Sequence, residues 1–263
     1  MEILLAIGIV AVIGLIAGLG LSSASAALAV PTDEKVESLR AALPGANCGA
    51  CGFSGCDGYA AALAEGKADP TRCAPGGPDT AAALAGLLGV EAGPMKKKVA
   101  MNLCNGSCDH VSPKFDYQGT PSCAAASMFF AGTSSCPYGC LGFGDCVKVC
   151  EYDAIEVRDG LARINPLRCT ACGRCIKTCP KGILSLLPAD LEFLVRCSNK
   201  DRGAKTRKQC DVGCIGCMKC TRVCPTGAIK VEENLARIDP DTCISCGACA
   251  EVCPVKCIHT FKI

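Results

Sequence analysis

The feature that most constrains this chain is a cysteine pattern that repeats with a fixed step. Cys140, Cys146, Cys150, Cys169, Cys172, Cys175 and Cys179 recur 74 residues later as Cys214, Cys220, Cys224, Cys243, Cys246, Cys249 and Cys253. Within each copy a second echo lies 29 residues on, taking Cys140 to Cys169, Cys146 to Cys175 and Cys150 to Cys179. One module is therefore present twice, and each module is itself a duplicated half. The full unit, Cys-x2-Cys-x2-Cys-x3-Cys followed by Pro, stands at Cys169 to Pro180 and at Cys214 to Pro225. Thiolates at that spacing match the bacterial signature for a pair of 4Fe-4S clusters.

The 26 cysteines among 263 residues demand either a disulfide framework or a metal-rich protein. Most stand two or three residues apart, too close to pair with each other without strain and well placed to converge on one inorganic core. Zinc is the competing reading, but a structural zinc site joins two separated Cys-x2-Cys pairs and has no use for a third cysteine in the run. In a two-cluster domain the fourth cysteine of one motif ligates the other cluster. That rule groups Cys169, Cys172 and Cys175 with Cys150, and Cys140 and Cys146 with Cys179. In the second copy it groups Cys214, Cys217 and Cys220 with Cys253, and Cys243, Cys246 and Cys249 with Cys224. Cys257 is left over and reads as a small packed hydrophobe.

The first copy departs from the pattern at one position, with Phe143 where the second has Cys217. Cys136 is the expected replacement ligand, with a three-thiolate cluster or an outside ligand as alternatives. Cys123 and Cys136 map at the same 74-residue step onto Cys197 and Cys210, so both copies begin Cys-x12-Cys-x3-Cys. A separate pattern, Cys48, Cys51, Cys56 and Cys73, makes a further four-thiolate site with glycines between the ligands. Five 4Fe-4S clusters are thus expected. Cys104, Cys108, Cys123, Cys197 and Cys210 are candidates for a sixth, with one thiol to spare, or are buried or reactive thiols.

From Ile3 to Thr32 there is no charged residue, and Ile3 to Leu21 is almost wholly Ile, Leu, Val, Ala and Gly. At about 1.5 Å per residue that apolar run reaches roughly 28 Å, close to the hydrocarbon thickness of a bilayer. With only Met1 and Glu2 before it, the run lacks the basic start of a signal peptide and is expected to be a retained transmembrane helix. Lys35, Arg40 and Lys67 beyond it favour the cytoplasmic side for the rest of the chain. The expected fold is α+β: an anchor over 1–30, a small 4Fe-4S domain over 31–80 and a linker with an irregular cysteine-containing region over 81–135. Two tandem modules follow over 136–187 and 209–263, joined by a basic segment over 188–208. Hairpins are expected at 154–158 with 161–164 and at 229–231 with 235–238, with helical turns after the third cysteine of each motif.

The net charge of +2 gives no dominant field for nucleic acid. No nucleotide-binding loop is present, and with only His110 and His259 there is no organised acid-base set, so no catalytic residue is assigned and independent substrate catalysis is not expected. The apolar start, the run Gly45-Ala46-Asn47-Cys48-Gly49-Ala50-Cys51-Gly52-Phe53-Ser54-Gly55-Cys56 and the paired modules together resemble the RnfB family. The pair Cys104 and Cys108 is similar to the extended form found in anaerobic bacteria. The resemblance implies an electron-transfer subunit of a ferredoxin:NAD oxidoreductase, single-pass in the plasma membrane. Soluble ferredoxin would be its donor, other subunits of an Rnf-type complex its acceptors, and coupling would be to Na⁺ or H⁺. A polyferredoxin of another membrane hydrogenase or dehydrogenase, and a redox-regulatory protein, are the alternative readings. The segment from Arg196 to Lys208, with six cationic residues against Asp201, is either a docking surface for acidic ferredoxin or a solvated loop.

Overall fold

The computed structural model describes residues 2–27 and 33–260. The expected boundaries at residues 30 and 263 lie outside the described residues. Helix α1 (Glu2–Ala27) runs 26 residues and presents Ile7, Val12, Ile13, Leu15, Ile16, Leu19 and Leu21 outward, each more than half exposed. Among the residues whose side chains are described, no helix is long and apolar enough to cross a membrane.

A small helical unit follows. Asp33 caps α2 (Glu34–Ala42) by accepting the Lys35 N–H at 3.0 Å, satisfying a donor the helix leaves unpaired. Helices α3 (Cys56–Ala64) and α4 (Gly77–Leu88) flank a 3₁₀ turn at Pro70–Arg72. Pro78 sits in the first turn of α4, where its missing N–H costs nothing. Leu39, Tyr59, Leu63 and Leu84 form the core of this unit, and the Tyr59 hydroxyl donates to the Asp69 carbonyl at 2.7 Å.

The rest of the chain is built from short elements: β1 (Lys98–Asn102), α5 (Cys123–Ser127), α6 (Asp145–Lys148), β2 (Ile155–Arg158), β3 (Leu161–Ile164), α7 (Arg174–Thr178), β4 (Leu184–Pro188) and β5 (Phe193–Val195), then α8 (Gly203–Gln209), α9 (Lys219–Val223), β6 (Ile229–Glu232), β7 (Leu235–Ile238), α10 (Ala248–Glu251) and β8 (Ile258–Thr260). The strands pair antiparallel as four two-stranded ribbons: β1 with β4, β2 with β3, β5 with β8, and β6 with β7. Both expected hairpins form. Their turn residues, Asp159-Gly160 and Glu233-Asn234, all take positive φ, the backbone that matches the twist of paired strands.

Two strands come from segments expected to be linkers. Strand β1 lies ahead of the first module and pairs with its closing strand β4, and β5 lies ahead of the second and pairs with β8. The apolar residues Val99, Ala100 and Met101 explain this for β1, since all three are buried. Each module thereby gains a second ribbon, yet its core stays small and includes its own cysteines, such as Cys146 and Cys175 in the first and Cys214, Cys220 and Cys249 in the second. A core of this size leaves much of the stability to whatever the thiols bind.

Candidate metal centres

Each motif delivers its third cysteine on a single helical turn: Cys146 on α6, Cys175 on α7, Cys220 on α9 and Cys249 on α10. The helix thus begins just before that cysteine and not after it. The residue leading into each turn is left-handed: Gly144, Gly173, Met218 and Gly247, with φ between 59° and 80°. Glycine takes that backbone without strain, and it lets the chain reverse tightly enough to aim successive cysteines inward.

Cys150, Cys169, Cys172 and Cys175 line one cavity, and the Ala100 N–H of β1 points at Cys169 Sγ from 3.3 Å. Cys214, Cys217, Cys220 and Cys253 line a second, with the Ala236 N–H 3.5 Å from Cys214 Sγ. Cys257 adjoins this cavity, its sulfur 3.6 Å from Cys253 Sγ. The sequence pattern identified it only as a packed hydrophobe. It is buried, and it also keeps its proton and donates, which holds the Cys253 thiol down to about 5. In the fourth motif, burial raises the Cys249 thiol, and the nearby Cys243 and Cys246 raise it further; Cys224, expected to complete that set, is half-buried just after α9. In the small helical unit, burial pushes Cys73 up against a hydrogen bond from the Gly76 N–H, and Cys56, Cys48 and Cys51 add to the push. Asn47 Oδ1 fixes that loop by accepting the Cys56 N–H at 2.9 Å.

The incomplete motif is resolved differently from the sequence expectation. One cavity is lined by Cys140, Cys146, Cys179 and Cys123. Cys136, expected there, lines another cavity with Cys104, Cys197 and Cys210. The cause lies in the segment between β1 and the first module. Phe143, standing in the place of a cysteine, packs edge-on against Tyr117 at 5.6 Å, and Tyr117 packs on Phe129. Asp145 accepts the Ser122 hydroxyl at 2.8 Å and the Ala124 N–H at 3.0 Å, tethering the start of α5 beside α6. Burial alone would raise the Asp145 pKa, but these bonds, with the Cys123 N–H and Lys148, hold it below the ordinary value. Cys123, the first residue of α5, thereby lines the cavity with Cys140, Cys146 and Cys179. Cys108 is exposed, beside Gly160.

Among the described residues no group of three or more His, Cys, Asp or Glu is placed to hold a metal ion directly. The thiols ring compact, sulfur-lined cavities. Soft sulfur donors around a compact space, with backbone N–H groups aimed at the sulfurs, fit an iron-sulfur core. Burial drives Cys104 and Cys146 up to about 12, so at these two positions a bare thiol keeps its proton and metal coordination would remove it.

The helical unit and first module touch through α7. Arg174 Nη2 donates to the Ala46 carbonyl at 3.1 Å and pairs with Glu151, and Lys177 Nζ donates to the Cys48 carbonyl at 3.4 Å. The basic segment is less free than its composition implies. Arg196 is half-buried and donates to the Cys104 carbonyl at 3.1 Å, while Lys200 pairs with Glu233 and Lys205 with Asp201. Arg202, Arg207 and Lys208 stay exposed.

Tandem modules of short ribbons with thiol-lined cavities, joined to a four-cysteine helical unit, define an iron-sulfur protein of the polyferredoxin type. Comparison with known proteins agrees: the FeS family model, described as an Fe-S cluster, matches residues 43–75. The 4Fe-4S dicluster domain matches residues 135–183 and 213–257. The B component of the Na⁺-translocating ferredoxin:NAD⁺ oxidoreductase complex of Acetobacterium woodii is 44% identical over 97% of this chain and 77% of its own length. The corresponding component of the ion-translocating oxidoreductase complex of Methanosarcina acetivorans is 38% identical over 89% of each chain. The proton-translocating counterpart of Clostridium ljungdahlii is 38% identical over 88% of this chain and 82% of its own. The chain belongs to the RnfB family of Rnf-complex proteins.

Proposed function

We propose that this chain is the electron-transfer subunit of a membrane-bound ferredoxin:NAD⁺ oxidoreductase of the ion-translocating kind, taking electrons from reduced ferredoxin and passing them to partner subunits. The observation that carries this reading is the succession of thiol-lined sites along the chain, with α7 of the first module donating to the Cys48 carbonyl of the helical unit. Iron-sulfur clusters bound there supply one-electron exchange at potentials set by charge, burial and hydrogen bonds to sulfur. The chain's own part is to bury the thiols, aim N–H groups at them and exclude water.

Five clusters are assigned. Their ligands are Cys48, Cys51, Cys56 and Cys73; Cys150, Cys169, Cys172 and Cys175; Cys123, Cys140, Cys146 and Cys179; Cys214, Cys217, Cys220 and Cys253; and Cys224, Cys243, Cys246 and Cys249. Helix α1 is the membrane anchor, supported by its 26-residue length and the uncharged run from Ile3 to Thr32. It holds the helical unit near the bilayer on the cytoplasmic side. No ionisable residue interrupts that run, so ion translocation belongs to other subunits. The second module lies farthest along the chain from the anchor, and there Cys217 and Cys246 are exposed beside Met218 and Ile244. That end is the ferredoxin side.

Full-length protein prepared anaerobically should be coloured, contain iron and acid-labile sulfide in equal amounts, and bleach on addition of enzymatically reduced ferredoxin. A colourless, iron-free protein would refute the reading, as would an iron-loaded one that ferredoxin fails to reduce.

A further inference from the structure

We propose that Cys104, Cys136, Cys197 and Cys210 bind one additional 4Fe-4S cluster, set between the two ferredoxin modules. The inference extends the iron-sulfur reading above to four thiols outside its five sites. Three of them, Cys104, Cys197 and Cys210, fall outside the matched family segments.

The four thiols line one cavity, and each is at least nine-tenths buried. Its wall includes Gly106, where a Cβ would lie 3.2 Å from Cys210 Sγ and 3.9 Å from Cys104 Sγ, so the backbone passes directly beside two of the sulfurs. Side-chain and backbone donors point at the others. The Asn199 N–H lies 3.4 Å from Cys197 Sγ, and the Asn199 side-chain amide lies 3.5 Å from Cys136 Sγ while also donating to Gln209 Oε1 at 2.8 Å. Asn199 is almost completely buried. It aims its side-chain amide at one sulfur and its backbone N–H at another, donors that fit around a charged cluster. Two guanidinium groups fix the ligand backbones: Arg196 donates to the Cys104 carbonyl at 3.1 Å and Arg237 to the Cys197 carbonyl at 2.7 Å. Their two positive charges offset part of the negative charge of four thiolates.

The site repeats across the two modules. Cys104 follows β1 by two residues and Cys197 follows β5 by two. The Leu103 N–H bonds the Ile183 carbonyl and the Arg196 N–H bonds that of Cys257, both at 2.8 Å, and Ile183 and Cys257 are 74 residues apart. The Cys140 N–H then points at Cys104 Sγ from 3.4 Å, and the Cys214 N–H at Cys197 Sγ from 3.2 Å. Cys136 and Cys210 each precede those same cysteines by four. Each module thus contributes one sulfur after its added strand and one before its first motif. Cys140 and Cys214 belong to the neighbouring sites, so a single N–H···S bond links the shared site to each. The arrangement makes it a one-electron station: an electron accepted from one module leaves to the other, with no bond or proton exchanged.

The test is cluster counting by native mass spectrometry, with iron and sulfide analysis, on full-length protein assembled anaerobically. Wild type should carry six clusters. Cys104→Ala, Cys197→Ala and the double variant should each carry five, losing about four iron and four sulfide per chain, the double no more than either single. Cys108→Ala, which alters the exposed thiol outside the cavity, should keep six. A wild type with five clusters overturns this site alone, as does a Cys104→Ala chain that retains six or a wild-type mass showing these thiols joined as disulfides. A wild type with no iron overturns it together with the function above. Should a substitution unfold the chain and strip all its iron, the wild-type count decides.

Discussion

At the residue scale, the informative position is one where a cysteine is missing. Phe143 removes a ligand and at the same time creates an aromatic anchor for Tyr117, which holds the segment that brings Cys123 into the gap. Cys123→Ala should therefore lose one cluster, about four iron per chain. Adding Phe143→Cys to that variant places a thiol where the second copy has Cys217 and should restore the lost iron, measured by elemental analysis and electron paramagnetic resonance. No recovery in the double variant would argue that Cys123 does not stand in for the missing ligand. The spacing of the cysteines could not lead to this assignment. Cys123 and Cys197 share a sequence step, but the structural counterpart of Cys197 is Cys104. Cys136 follows Cys104 by 32 residues whereas Cys210 follows Cys197 by 13. The extra length in the first copy contains Cys108 and Cys123, and it happens to restore the same spacing from a different cysteine.

At the scale of elements, the hairpins were legible because their signal is local: alternating apolar residues around two turn residues that favour positive φ. The helical turns were legible too, though each begins just before the third cysteine of its motif and not after it. Strands β1 and β5 were not legible as parts of the modules, since each pairs with a strand far along the chain and neither follows the repeat step. Helix α1 is legible by composition alone. If it is the anchor, deleting residues 2–27 should move the protein from the membrane fraction to the soluble fraction while leaving its iron content unchanged, because α1 contributes no thiol. Retention of the truncated chain on membranes lacking the partner subunits would sink that role for α1. An apolar run of roughly 28 Å matches the bilayer core, so the effect should be nearly complete and not a graded weakening.

At the scale of the whole molecule, the sites follow one another in order along the chain, and the two ends of that order differ. One end is tied through the helical unit to α1, and the other exposes ligand-bearing loops at Cys217 and Cys246. On the proposed reading a soluble donor meets that open end, and the charge available there sets the rate of encounter. The sequence segment from Arg196 to Lys208 suggested six cations, but Arg196 is committed to the Cys104 carbonyl, and Lys200 and Lys205 are paired with carboxylates. The free field reduces to Arg202, Arg207 and Lys208 near α8, together with exposed Lys219 and Arg222 on α9. Long-range attraction of this kind raises the rate of encounter and is screened within about 8 to 10 Å at physiological salt. Replacing Arg202, Arg207 and Lys208 by Gln should slow reduction by an acidic ferredoxin about tenfold or less at low ionic strength, and flatten its dependence on salt. The iron content should stay at the wild-type level, since none of the three donates to a ligand carbonyl. Stopped-flow reduction across a salt series measures both effects. An unchanged rate and slope would move the docking face away from α8.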